Sequence, residues 1–171
     1  MTHAIPPVDP QLLVHEFHKV YRHPIADSPR PPAADRTNLR VSLVAEEFIE
    51  LLEAVYAPQS PNTPTPIAQI KREVRKLTNQ VPVLDLKQTA DALADLVYVI
   101  YGFALEAGIP LSAIFEEVHA SNMSKLDPTT NQPIYREDGK VLKGANFREP
   151  DLDKFLQPSP TQPSPTQPQH S

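Results

Sequence analysis

Apolar residues recur at three- and four-residue spacing along most of this chain, a period that predicts helices rather than strands. The pattern is fullest over residues 37–56, where Val41, Val44, Phe48, Leu51, Leu52 and Val55 share one arc. Residues 9–20, "DPQLLVHEFHKV", predict a shorter first helix, with Asp9 as its N-cap and Pro10 at the first helical position. A basic helix is expected over 67–79 and a long apolar one over 86–107, stopped by Gly108. Pro110 restarts the period, which runs to residue 123. Beyond it, "PIYREDGKVLKG" is extended in character on both sides of Asp138-Gly139, a hairpin signal.

Proline punctuates this pattern. The stretches "HPIADSPRPPAADR" and "APQSPNTPTP" cannot continue the helices beside them. The end, "QPSPTQPSPTQPQHS", is a tandem repeat with nothing to bury. The expected organisation is a flexible start at 1–7, one domain at 8–156 and a disordered tail at 157–171. The fold class is all-α, a four- to five-helix bundle with a small C-terminal hairpin.

Composition narrows the chemistry. With no cysteine, any metal must be a hard ion held by oxygen, or one bound by histidine. A net charge of −5 counts against a general phosphate-backbone binder, so no nucleic-acid partner is expected. The longest uncharged apolar run, residues 96–105, falls short of the ~20 residues a bilayer span needs. With no signal-peptide pattern at the start, a cytoplasmic protein without a membrane partner is expected.

The carboxylates then demand an account. "SLVAEEFIELLEA" puts Glu46, Glu47, Glu50 and Glu53 in one helical run. Glu46, Glu50 and Glu53 fall on a stripe opposite the apolar arc, with Glu47 near its boundary. A solvated face gives the same pattern. Two features favour carboxylates held for binding. Like charges at this spacing repel by roughly 0.2–0.5 kcal/mol per pair, and no lysine or arginine occurs between 41 and 70 to relieve them. Asp91 and Asp95 repeat the spacing on a helix otherwise uncharged from 88 to 105, which is expected to be largely buried. Buried carboxylates need a cationic partner. Together the two helices offer the oxygen donors that Mg²⁺ or Mn²⁺ takes.

"EEFIE" followed by "DALADLVYVIYGFALEAGI" resembles the all-α nucleoside triphosphate pyrophosphatases, the MazG-like group, and the similarity continues through "EEVHASNMSK" and "DGKVLKGANFREPDL". By position, Glu46, Glu47 and Glu50 match that family's catalytic, metal-binding Glu-Glu-x-x-Glu motif. Asp95 matches the last residue of its Glu-x-x-Asp pair. Ala92 stands where the family has glutamate, and Asp91 is the nearest substitute. The resemblance implies that Asn122 and Lys125 contact the nucleotide's sugar or phosphates, and that His18 lines the base pocket. Lys143 and Arg148, beyond the hairpin, are candidate phosphate clamps, the latter through its bidentate fork. Glu53 lies outside the motif, and His119 is given no role.

The implied activity is Mg²⁺-dependent hydrolysis of a nucleoside triphosphate to monophosphate and pyrophosphate, Mn²⁺ substituting. The implied purpose is removal of an unwanted pyrimidine deoxynucleotide such as dUTP or dCTP. Helices this apolar also predict a homodimer or a dimer of dimers. Two alternatives stand beside this reading: hydrolysis of phosphoribosyl-ATP by a related helical fold, and a non-enzymatic helical dimerisation or adaptor module.

Overall fold

The computed structural model describes residues 9–56, 66–137 and 140–157. Residues 1–8, the proline-rich connector at 57–65, Asp138-Gly139 and the repeat tail from 158 onward lie outside them. Within the described residues the fold is all-α: α1 (Pro10–Val20), α2 (Ala34–Val55), α3 (Pro66–Leu77), α4 (Leu86–Glu106), α5 (Leu111–Met123) and the single turn α6 (Asp153–Leu156).

The helix ends follow local chemistry. Asp9 caps α1, its carboxylate accepting from the Gln11 N–H at 2.9 Å, and Pro10 opens the helix. Asp85 caps α4 in the same way, accepting from the N–H groups of Lys87 and Gln88 at 2.9 and 3.0 Å. Gly108, at φ +67°, ends α4, and the Ile109 N–H reaches back to the Ala104 carbonyl at 2.8 Å. Glycine is the residue that adopts this left-handed conformation without a Cβ penalty.

The chain divides into two compact units: Met1–Ile25 with Val97–Ser171, and Ala26–Leu96. In the first, α1 packs on α5. Tyr21 is fully buried there, with Phe17 stacked on its ring at 4.2 Å. Its hydroxyl reaches the carbonyls of Asn122 and Met123 at 2.9 and 3.0 Å, and its own carbonyl accepts from the Tyr135 hydroxyl. The turn of the predicted hairpin lies outside the described residues; among those described, Tyr135 and Val141 form one antiparallel bridge. The return segment then closes on the end of α5, where the Gly144 N–H donates to the Lys125 carbonyl at 3.0 Å.

In the second unit α2 packs on α3. Ile49 and Ile67 are buried, and Thr37 with them. Here the structure corrects two expectations. Among the described residues the apolar arc of α2 is left half exposed: Val44 is 48% exposed, Phe48 50% and Val55 49%. The long helix α4, expected to be buried, buries Ala104 alone, and Tyr98 is 81% exposed. Periodicity identifies an apolar face but not the element that covers it. Among the described residues α3 takes the Ile49 side of α2, and no helix packs against α4 to the same extent.

Candidate active site

The side of α2 turned toward α3 carries the acidic stripe. Glu46, Ile49, Glu50 and Glu53 form one wall of a cleft of about 340 Å³. The facing wall is basic, with Lys71, Arg75 and Thr78 from α3 and its C-terminal end. Lys71 and Arg75 are four residues apart and Thr78 three further on, so they share one helix face. No lysine or arginine lies between 41 and 70 to ease the repulsion among these glutamates, and one of them is paired from α3: the Lys71 ammonium lies 2.6 Å from the Glu53 carboxylate. Both partners are about half exposed, and such pairs contribute little to stability.

The motif glutamates differ among themselves. Glu46 and Glu50 line the cleft, whereas Glu47 does not. Glu46 and Glu47 interact with neighbouring groups, while the Glu50 carboxylate carries no hydrogen bond or ion pair among the described residues. Asp91 and Asp95 are exposed on α4 and do not line the cleft. In donor type this set suits a hard divalent cation. In position it is incomplete: among the described residues no three carboxylate or histidine side chains gather in metal-binding geometry.

The predicted substrate contacts belong to the other unit. Lys125 donates to the Asn122 side-chain oxygen at 2.7 Å, and both lie where Tyr21 fixes the end of α5. Lys143 sits 4.1 Å from the centre of the Phe147 ring, with Lys125 at 5.9 Å. Two ammonium groups thus share one aromatic platform. Lys143 also pairs with Glu149 at 2.8 Å.

Arg148 is paired within the chain. Its guanidinium pairs with Glu117, its N–H donates to the Ser124 hydroxyl at 3.0 Å and its carbonyl accepts from Ser121 at 2.8 Å. Glu117 also receives Lys154 at 2.8 Å and the Asp151 N–H at 3.1 Å. The hydrogen bonds from Lys154 and Arg148, in that order, lower its pKa to about 2. Arg148 therefore ties the C-terminal segment to α5. The His18 Nδ1–H donates to the Pro24 carbonyl, 3.1 Å away, and its ring meets that of His23 edge-to-face at 5.3 Å. His119, given no role, lies 3.4 Å from Glu16.

Sequence reasoning missed Lys71, Arg75 and Thr78. The signal available was a strongly basic helix placed between two acidic ones. Tyr21 and Glu117 were missed as well, because partners so distant in sequence leave no local pattern.

Comparison with known proteins identifies a family for the chain. The profile of the phosphoribosyl-ATP pyrophosphohydrolase family matches residues 14–122, more than half the chain. A solved structure from Exiguobacterium sp. 255-15, whose given name proposes an NTP pyrophosphohydrolase, is 33% identical with a TM-score of 0.63. That alignment covers 88% of this chain and 95% of that one. No curated protein matches. The match over more than half the chain shows that it belongs to the phosphoribosyl-ATP pyrophosphohydrolase family of all-α, MazG-like hydrolases of phosphoanhydride bonds.

Proposed function

We propose that this protein is a Mg²⁺-dependent pyrophosphohydrolase that converts a nucleoside triphosphate, a pyrimidine deoxynucleotide such as dUTP or dCTP, to its monophosphate and pyrophosphate in the cytoplasm. The observation that carries this reading is the glutamate wall of the α2–α3 cleft, which holds two of the three motif acids. Water attacks the α-phosphorus in line, a new P–O bond forms, and the α–β anhydride bond breaks to release pyrophosphate. Glu46, Glu47 and Glu50, with Asp91 and Asp95, are the residues that would hold the cation. When bound, it neutralises the polyphosphate and makes a nearby water more acidic. A carboxylate oxygen of Glu50, which has no protein partner among the described residues, is suited to orient that water and accept its proton. Asn122, Lys125 and Lys143 are the proposed sugar and phosphate contacts.

A homodimer belongs to the same reading. The exposed apolar arc of α2 and nearly all of α4 leave more apolar surface uncovered than a stable monomer exposes. A second copy covering these faces could also supply the missing closeness of α2 and α4 carboxylates.

The family match itself favours a second substrate, phosphoribosyl-ATP. Incubation with Mg²⁺ and a panel of dUTP, dCTP, dATP and phosphoribosyl-ATP, with products resolved, decides between them. Monophosphate with pyrophosphate from the pyrimidine deoxynucleotides supports the first reading. Turnover confined to phosphoribosyl-ATP supports the second, and release of diphosphate with inorganic phosphate contradicts attack at the α-phosphorus.

A further inference from the structure

The basic wall of the α2–α3 cleft is not accounted for by the acids alone. If α3 served only to neutralise α2, each of its cleft-lining cations would be paired with a glutamate. Lys71 is so paired, with Glu53. Arg75 is not: it lines the same cleft as Glu46 and Glu50, yet its guanidinium makes no ion pair or hydrogen bond among the described residues. A guanidinium presents a planar fork of donors matched to phosphate oxygens and stays charged at any working pH. The cleft, at about 340 Å³, lies at the small end of ligand-sized cavities, roughly 300–1,000 Å³. It is large enough to take a polyphosphate chain.

We propose that Arg75, aided by Lys71, forms a phosphate subsite on α3 that takes the β- and γ-phosphate end of the substrate, across the cleft from Glu46 and Glu50. This inference rests on the pyrophosphohydrolase reading and goes beyond it by giving α3 a binding role. An acidic wall by itself repels a polyphosphate. An acidic wall holding a divalent cation, facing a guanidinium, leaves the polyphosphate with positive charge on both sides. Pyrophosphate, the leaving group, carries its new charge toward Arg75 as the α–β bond breaks. Arg75 would thus contribute to binding the substrate and to stabilising the departing product.

The test uses the full chain, its Arg75→Ala and Arg75→Lys variants, and tripolyphosphate with Mg²⁺ as the probe. Arg75→Ala is expected to weaken tripolyphosphate binding, read by calorimetry, roughly ten- to a hundredfold. For nucleotide turnover it should raise KM more than it lowers kcat. Arg75→Lys should recover part of both losses. Mn²⁺ affinity of the nucleotide-free protein and its Tm should stay as in the parent. Unchanged KM and tripolyphosphate affinity in an active Arg75→Ala protein overturns the subsite and leaves the hydrolase reading standing. A shift in Mn²⁺ affinity alone also overturns it, making Arg75 a counter-ion to the glutamates. Arg75-dependent tripolyphosphate binding in a protein that hydrolyses no nucleotide upholds the subsite and removes the hydrolase reading.

Discussion

The Tyr21 hydroxyl lies 2.9 Å from the carbonyl of Asn122, so a residue at the end of α1 sets the last turn of α5. That turn carries Asn122 and leads directly into Lys125, and the tyrosine that holds it is buried. Tyr21→Phe keeps the stacked ring and leaves the α5 carbonyls without this donor. The expected loss is about 1–2 kcal/mol, a Tm drop of roughly 2–8 °C at this chain length. The same group predicts alkaline sensitivity. Burial raises the Tyr21 pKa above its ordinary value of 10.0, so the folded state keeps a proton that the unfolded state gives up. Stability from this group is whole below pH 10 and falls as pH rises through the folded pKa. Denaturant titrations of parent and Tyr21→Phe from neutral pH to beyond the ordinary tyrosine pKa should converge at the alkaline end.

Glu117 predicts the opposite limb. Its lowered pKa means that its ties to Lys154 and Arg148 are intact above the ordinary carboxylate range, near 4.5, and are lost as pH falls toward about 2. Hydrogen exchange in residues 147–156 should accelerate over that window. Glu117→Gln should show the faster exchange at neutral pH already, and no further acid step.

Among the described glycines, Gly144 has the closest backbone approach. A Cβ there would stand 2.4 Å from the Leu126 carbonyl oxygen and 2.9 Å from that of Lys125. Gly144→Ala must push the return segment off α5, at a cost of roughly 1–3 kcal/mol. Thermal melts measure the loss, and weaker nucleotide binding should accompany it because Lys143 is the adjacent residue.

Glu50→Gln should abolish turnover and weaken Mn²⁺ binding, followed by electron paramagnetic resonance, while the fold persists. The side chain is exposed and makes no polar contact within the described residues that a glutamine would break. Asp91→Ala tests the substitute for the glutamate that Ala92 replaces: a loss of more than tenfold in kcat, about 1.4 kcal/mol or more in the barrier, is expected if Asp91 ligates. Parent-like rates would assign the site to α2 and Asp95 without it.

The exposed apolar faces predict self-association. Sedimentation should give two copies per particle, and Val97→Asp on α4 should dissociate them and expose a site that no longer turns over nucleotide. Gly102 adds a check, since a Cβ there meets nothing within 4 Å in one chain. Gly102→Ala should stabilise by roughly 0.5–1 kcal/mol through helix propensity alone. A destabilisation would place another chain against that position.

Helix positions were largely legible in the sequence because caps and stops are local. Asp9, Pro10 and Gly108 act on residues within about a turn of themselves, and α1 begins and α4 ends where they indicate. The acidic stripe was legible for the same reason, as a matter of helical geometry. What faces it was not. Lys71 reaches Glu53 only after the proline-rich connector is crossed, and nothing in the period of α2 specifies which side α3 covers. The apolar arc of α2 and the whole of α4 were misjudged on that account: a run of apolar residues encodes a demand for cover, and the sequence does not say who meets it. The partner of Arg148 was not legible either: its guanidinium pairs with Glu117, on another element and 31 residues away in sequence.

The anchoring of Gly144 beside Lys125 also bears on how this family member can vary. Chain leaving α5 at Lys125 comes back to the same spot just after Lys143, which settles over Phe147, so the intervening excursion begins and ends at one point. Lengthening a loop whose ends are already pinned together adds little closure entropy. Insertions between Thr129 and Lys140 should therefore be absorbed without moving either ammonium, making this excursion the place where new recognition surface can be grafted beside the fixed Lys125 and Lys143 pair.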